Sequence, residues 1–381
     1  MIVDGPWISE PATQAVCAAM ADQGFQVYFV GGCVRNALLG VEVSDIDLAS
    51  NALPEDTIRC AEAAGLRAIP TGIEHGTITV VSGGIAHEIT TFRSDVETHG
   101  RRAEVRFSKS VKEDAERRDF TMNAIYAGPD GTILDPLNGL PDLVRRHVRF
   151  IGDAGQRIQE DYLRSLRFFR FTAWYGDPAL GIDSEGLAAV AAHLDGLSGL
   201  SRERVGAEIK KLLAAPDPSM AVAAMAQSGV LSSVLAGSDP RALAPLVHFE
   251  QSFGIAPDPI RRLAVLADFP DDDDLRLSKD DRKNWRILRE EVGAMKGAGH
   301  LGYLYGAPLA IDVLLLRAAL LETPLSDQAI QESKKGESAV FPVKAQDLPE
   351  HSGSALGAIL KQLKALWIAS DFSLTKDDLL S

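Results

Sequence analysis

Two aspartates separated by one apolar residue, Asp45 and Asp47 around Ile46, could hold Mg²⁺, because carboxylate oxygens are the hard ligands that this ion takes. Metal ions held in this way activate an attacking hydroxyl and stabilise the leaving oxygen of an in-line displacement at phosphorus. Alternation along a strand would put both carboxylates on one face, with Ile46 and Leu48 on the other. A DxD by itself is more often a plain Asx turn. Here, however, a glycine pair, Gly31 and Gly32, lies one helix upstream, after the β-prone run Val27 to Val30, where the backbone can approach a ligand closely. Val34 to Leu39 then has the pattern of a helix. Its N-terminal N–H groups would face an anion, and Arg35 would add a planar cation for phosphate oxygens. The combination suits nucleotidyl transfer from a triphosphate.

Three further segments could complete such a site. In AHEITTFR, Ala86 to Arg93, the alternation of a half-buried strand makes Glu88 the candidate third carboxylate, and a solvent-facing strand glutamate the plain alternative. In RRDFTMNA, a helix would set Asp119 and Asn123 at i and i+4 on one face beside Arg118. That acceptor, amide and cation suit a ribose and a phosphate; an ordinary helix start fits the spacing equally well. In QEDYLRSLRFFRF, residues Glu160, Asp161, Arg164 and Arg167 recur at helical spacing. A surface salt bridge between Asp161 and Arg164 is the default explanation, worth a few tenths of a kcal/mol. The functional alternative sets this pair edge-on to a nucleobase, with Arg167 against the base's face.

The elements that must position these residues divide the chain. Up to about residue 150, short strands alternate with helices over Pro11 to Gln23 and Pro54 to Ala64. Gly83 and Gly84 sit between two β-rich runs as a hairpin turn. The arginine-rich stretch from Ser94 to Arg118 reads as a loop. Beyond residue 151 the apolar spacing is helical to the end, with loops or hinges expected at Asp271 to Asp274 and Glu332 to Pro342. The fold class is therefore α+β: a small mixed or antiparallel sheet head over 1–150, then helical segments over 151–220, 221–330 and 331–381. A chain of 381 residues also exceeds what one core usually holds.

Three scattered cysteines, Cys17, Cys33 and Cys60, with no CxxC, indicate neither a disulfide framework nor a zinc site and point to a reducing compartment. No leader pattern or membrane-length apolar run is visible, so the expectation is a soluble, cytoplasmic protein with no membrane partner. A net charge of −14 argues against nucleic acid only until its distribution is read. Residues 91–170 hold 15 Lys and Arg against 13 Asp and Glu, a net of +2, whereas the remainder holds 24 against 40, a net of −16. Arginines thus cluster where the candidate site residues lie, as a local phosphate-tracking groove would require. A second basic stretch, Arg276, Lys279, Arg282, Lys283, Arg286 and Arg289 with Trp285 as a core anchor, could grip RNA or simply be a solvated helix face.

In order along the chain, GGCVR, DID, PTGIEHGT, EITTFR, RRDFTMNA, IGDAGQRIQEDYLRSLRFFRF and SRERVGAEIKKLL resemble the motif series of the class II tRNA nucleotidyltransferases, the CCA-adding enzymes, and of related bacterial poly(A) polymerases in the polymerase beta superfamily. The match spans about residues 25 to 215, and FPVKAQDLPEHSGSALGAILKQL is similar to the CCA-adding tail. The resemblance implies that Asp45 and Asp47 bind catalytic metals, and that Gly31, Gly32 and Arg35 hold the triphosphate. It implies that Arg118, Asp119 and Asn123 recognise ribose and phosphates. Asp161 and Arg164 would serve as an amino-acid template for CTP or ATP, with Glu160 orienting them and Arg167 beneath the base. Arg204 and Glu208 would buttress that helix, and the Ser94 to Glu116 loop would help switch selection from C to A.

The implied partners are a tRNA acceptor arm, CTP and ATP, in a monomer or homodimer. A poly(A) polymerase, a partial CC-adding or A-adding enzyme, and an inactive tRNA-binding module are the alternatives. Two departures stand out: Asn36 where the family's motif usually has Asp, and His99 with Gly100 where an acidic residue is common. No His-Asp dipeptide occurs, so a fused phosphohydrolase of the kind some relatives carry is not expected.

Overall fold

Among the described residues nine strands are formed, in chain order: β1 Val27–Val30, β2 Ile46–Ser50, β3 Arg67–Gly72, β4 Thr77–Ser82, β5 Ile85–Thr91, β6 Arg93–Asp95, β7 Val105–Phe107, β8 Tyr126–Ala127 and β9 Ile133–Leu134. The computed structural model describes residues 2–95, 105–267 and 275–381. They group into two compact units, Met1–Leu200 with Gln227–Val230, and Ser201–Ala226 with Leu231–Ser381.

In the first unit, seven strands form one sheet in the order β3-β4-β5-β2-β1-β8-β9, while β6 and β7 pair as a separate hairpin. All pairs are antiparallel except β2 with β5, which run parallel and set Asp47 opposite Glu88. The sheet is therefore mixed, one of the two forms expected. The β4–β5 connection is Gly83–Gly84, with φ of 57° and 83°; positive φ at both positions is what a tight primed turn needs and what a side chain resists. Phe29, Val30, Leu48 and Ile89 are buried at the sheet's centre. The helices Pro11–Ala21 and Pro54–Ala63 lie against it, each started by a proline whose missing N–H costs nothing at that position.

The Ser94 to Arg118 stretch is not a simple loop. It contains β6 and β7 and then the helix Val111–Glu116, N-capped by the Ser110 hydroxyl, which accepts from the Glu113 N–H at 3.4 Å. Ala115 at the end of that helix is fully buried, an apolar signal hidden among charged neighbours. His99, Gly100, Arg101 and Arg102 lie outside the described residues.

Beyond β9, helices Ala154–Glu160, Leu163–Tyr175 and Ser184–Ala192 complete this unit. Their core is aromatic. Phe120 meets Phe150 at 5.0 Å and Phe171 at 4.7 Å between ring centroids, and Phe150 stacks on Phe168 at 5.3 Å.

The second unit is helical throughout its described residues, and none of the helices is long and apolar enough to cross a membrane. Trp285 is buried, as its place among cations suggests for an anchor. Glu332 to Pro342 departs from the expected hinge, because helix Asp327–Ser338 runs through most of it. Gly336 is there for close approach: a Cβ on it would lie 1.9 Å from the Gly299 carbonyl oxygen, and one on Gly302 would lie 2.0 Å from that of Ser333. The helices Ala298–Tyr305 and Asp327–Ser338 thus touch backbone to backbone. The acidic run Asp271 to Asp274 lies outside the described residues. Cys17, Cys33 and Cys60 are buried and unpaired.

Candidate functional site

All the candidate residues upstream of residue 170 fall in the first unit, where the β1, β2 and β5 ends converge. Asp47 is on β2, and Asp45 sits just ahead of that strand rather than within it. Asp45, Asp47 and Glu88 line one cavity of about 500 Å³ together with Ser44, Ile46, Ile85 and Ala86. Among the described residues no Lys or Arg forms an ion pair with any of these three acids. Burial, with the negative charge of Glu88 adding to it, holds the Asp47 carboxyl above its ordinary range; Arg118 pulls it part of the way back, and Asp45 raises it again.

Excess negative charge on one cavity wall fits a divalent cation. No three His, Cys, Asp or Glu side chains among the described residues close around a point as a ready-made metal cluster. Mg²⁺ does not require one, because it is usually held by one or two carboxylates and takes its remaining oxygens from water and substrate phosphates.

Gly31 has φ 74° and ψ −124°, a conformation open to glycine but strained for other residues. Two guanidinium groups lean on this turn: a Cβ on Gly31 would lie 3.7 Å from Arg118 Nη1, and one on Gly32 would lie 3.8 Å from Arg35 Nη2. The following helix, Gly32–Leu38, is seven residues long.

Arg35 is not the open fork expected from its position. It is buried, donating from Nη1 to Asn123 Oδ1 at 2.7 Å, from Nε and Nη2 to Asn36 Oδ1 at 3.2 and 2.9 Å, and from Nη2 to the Tyr175 hydroxyl at 2.8 Å. Burial lowers its affinity for its proton.

Arg118 is tied differently, donating to Asp114 Oδ2 from Nη2 at 3.0 Å and to the Tyr126 hydroxyl from Nε at 3.1 Å. Asp114, which no motif reading singled out, is fully buried and also accepts from Arg117 Nε at 2.8 Å and from the Tyr126 hydroxyl at 2.7 Å. Burial would raise the Asp114 carboxyl, but Arg118, Arg117 and the Tyr126 hydrogen bond outweigh it and hold it at about 2. Asp119 and Asn123 do meet, at 3.4 Å, but across the 3₁₀ turn Thr121–Asn123 rather than an α-helix. Phe120 is extended and pairs with Phe150 as an isolated bridge, which stops a helix from starting at Asp119. The other oxygen of Asp119 accepts from Arg167 Nε at 2.6 Å.

The continuous helix expected through EDYLR is broken. Helix Ala154–Glu160 ends at Asp161, whose φ of −152° and ψ of 105° are extended. The Asp161 carboxylate accepts from the Leu163 N–H at 3.1 Å, starting the second helix. Arg164 is ion-paired to Glu160 and donates from Nη1 to the Arg157 carbonyl at 2.8 Å. Arg157, a further residue that the motifs concealed, pairs with Glu160 through Nη1, while Nη2 donates to the backbone carbonyls of Arg117 and, at 2.7 Å, Arg118. It fastens the RRD segment to the end of the helix that carries Glu160. Its signal was available in the sequence only as one more arginine in a helical run.

Residues 27–149 match the poly A polymerase head domain family, and residues 180–240 a family described as a probable RNA and SrmB-binding site of polymerase A. The chain is 35% identical over 381 residues to the mitochondrial CCA tRNA nucleotidyltransferase 1 of Mus musculus, covering 95% of this chain and 87% of that protein. It is 42% identical over 216 residues to the CCA-adding enzyme of Geobacillus thermodenitrificans, covering 56% of this chain and 52% of that one. The crystal structure of the Bacillus stearothermophilus CCA-adding enzyme in complex with CTP is similar with a TM-score of 0.71 and 26% identity, over 94% of this chain and 93% of that one. The Thermotoga maritima CCA-adding enzyme complexed with tRNA shares the fold, with a TM-score of 0.71 at 20% identity over 99% and 95% of the two chains. Identity sustained over nearly the full length of a CCA tRNA nucleotidyltransferase, on the same fold and with the nucleotidyl-transfer motifs gathered in the sheet unit, places this chain in the family of class II CCA-adding nucleotidyltransferases.

Proposed function

We propose that the chain adds CCA to the 3′ end of tRNA, taking cytidylates from CTP and an adenylate from ATP without a nucleic-acid template. The observation that carries this reading is the parallel β2–β5 register, which sets Asp47 opposite Glu88 on a cavity shared with Asp45, in the unit that also holds the Gly31–Gly32 turn. Asp45 and Asp47 would hold Mg²⁺, with Glu88 as the third catalytic carboxylate. The ion would supply charge stabilisation at the reacting phosphorus and an activated 3′-hydroxyl.

The remaining assignments concern this chain's own groups. The N–H groups of Gly31 and Gly32 meet triphosphate oxygens, with Arg35 and Arg118 on either side of the turn. Asn123 and Asp119 present an amide and a carboxylate to the ribose. Asp161 and Arg164 present acceptor and donor atoms to the base edge, Glu160 fixes Arg164 through their ion pair, and Arg167 lies against the base. Residues 1–150 form the catalytic head, 151–220 the neck that reads the base, 221–330 the body and 331–381 the tail. Lys279, Arg282, Lys283 and Arg286 line a shallow groove of about 450 Å³ along one helix and suit tRNA phosphates. Three buried, unpaired cysteines suit a reducing cytoplasm.

The test incubates the protein with Mg²⁺ and tRNAs ending before CCA, after C and after CC, with CTP and ATP separately and together. Addition of C, C and A that then stops is the expected result. Long A tails, arrest at CC, or no transfer would overturn it.

A further inference from the structure

The two cations at the Gly31–Gly32 turn are held in opposite ways. Arg118 is neutralised on the spot by Asp114, which accepts from both its Nε and its Nη2. Arg35 is buried, and among the described residues its hydrogen-bond partners are neutral: Asn36, Asn123 and Tyr175. A buried guanidinium without a carboxylate is expensive, and is tolerated only where polar atoms and π-faces surround it. Tyr175, the last residue of the helix Leu163–Tyr175, supplies both: its ring centroid lies 4.0 Å from Arg35 Cζ and its hydroxyl accepts from Nη2 at 2.8 Å. Phe171, one turn earlier, adds a second ring at 5.2 Å.

We propose that Tyr175 is a positioning residue for nucleotide binding: it holds Arg35 in a neutral cage, so that the guanidinium stays on Asn123 and its positive charge, which no salt bridge closes among the described residues, acts on the Gly31–Gly32 turn. The inference rests on the nucleotidyl-transfer reading above and adds a residue outside every motif that led to it. A carboxylate in the place of Tyr175 would fix Arg35 as well but set a negative charge against it; a phenol fixes it and leaves the charge for an anionic guest. The cage also feeds the sugar side of the site, because Asn123, held by Arg35, contacts Asp119, which in turn is held by Arg167.

The experiment measures steady-state constants for CTP, ATP and tRNA, together with direct calorimetric binding of CTP, for the full-length wild type, Tyr175→Leu and Tyr175→Phe. Tyr175→Leu removes ring and hydroxyl and should raise KM for both CTP and ATP, and Kd for CTP, about tenfold, with kcat and the tRNA KM little changed. Tyr175→Phe keeps the ring and should fall between, at about threefold. A merely structural role would lower the active fraction and leave the nucleotide KM alone. Nucleotide constants of Tyr175→Leu within twofold of wild type would overturn the proposal. Should that variant not fold, a Tyr175→Phe indistinguishable from wild type in CTP binding would do the same. A wild type that binds CTP but transfers nothing to tRNA would instead sink the functional reading and leave the CTP-binding comparison to decide this one.

Discussion

Asp47 in the first unit and Asp312 in the second are both carboxyl groups that burial lifts above the ordinary range, the latter to about 6. Their surroundings differ. Asp312 accepts from Arg261 Nη1 at 2.6 Å, inside a network where Glu250 takes Arg261 Nε at 2.8 Å and Arg262 Nη2 at 2.6 Å. Glu250, Arg261 and Arg262 are almost completely buried, and Arg262 also donates to the Leu213 carbonyl at 2.6 Å. Charge there is closed on itself and holds helices together. Asp47 has no ion-pair partner among the described residues and shares its cavity with two more acids. A raised carboxyl marks a functional site only when its surroundings leave the charge directed at a space that a substrate or ion can occupy.

Breaking the open side should cost activity and spare the fold. Asp47→Asn is expected to lower nucleotide transfer by about three orders of magnitude or more, because it removes a metal-facing oxygen at the reacting centre. Its native carboxyl is raised, so ionising it opposes folding; the variant's melting temperature at neutral pH should match or exceed that of the wild type. Substantial residual transfer, or a clear loss of stability, would erase the contrast with Asp312. Breaking the closed side should do the reverse. Glu250→Gln leaves the buried Arg262 without its carboxylate, and Arg261 with Asp312 alone, and should cost about 3–5 kcal/mol in denaturant unfolding, with KM for CTP unchanged in the molecules that remain folded.

Asp114 tests an intermediate case, a closed charge inside the open site. Its carboxyl is depressed from 3.8 to about 2, so its contribution to stability is fully present above about pH 4 and is lost as pH falls through about 2. That is about 2 kcal/mol, absent in Asp114→Asn. Acid unfolding curves of wild type and variant should therefore converge in that window. Parallel curves down to pH 2 would show that Arg117 and Arg118 do not depend on this carboxylate.

What the chain reveals by pattern and what it hides follows the same division. Val27–Val30 is the strand that its apolar run implies, and Gly83–Gly84 turns the hairpin that two β-rich flanks require. Local sequence is enough where one element decides the matter. It is not enough where partners arrive from far along the chain: Asp114 looks like one solvent-facing acid among several in KEDAER until Tyr126 and two arginines bury it. Arg35 reads as a phosphate fork until Tyr175, 140 residues on, claims it. Glu332 to Pro342 reads as a hinge because the real constraint on Gly336, the Gly299 backbone, lies on another helix.

Asp161 carries the smallest expected change in stability and the sharpest separation of roles. The spacing in EDYLRSLR is helical without interruption, yet the backbone breaks there, and the carboxylate accepts from the Leu163 N–H at 3.1 Å. A side chain that caps a helix start is worth about 1 kcal/mol, and Asn caps nearly as well as Asp, whereas Ala does not cap. Asp161→Asn should therefore keep the melting temperature within measurement error, while Asp161→Ala loses about 1 kcal/mol. Base reading obeys a different rule. The amide of Asn offers a donor where Asp offers only acceptors, so Asp161→Asn should alter the ratio of CTP to ATP incorporation on tRNA ending in CC despite its intact cap. If discrimination instead follows stability, lost in the Ala variant and kept in the Asn variant, then Asp161 serves the site only by ending one helix and starting the next. The template would then have to be sought in Arg164 and the Glu160 that fixes it.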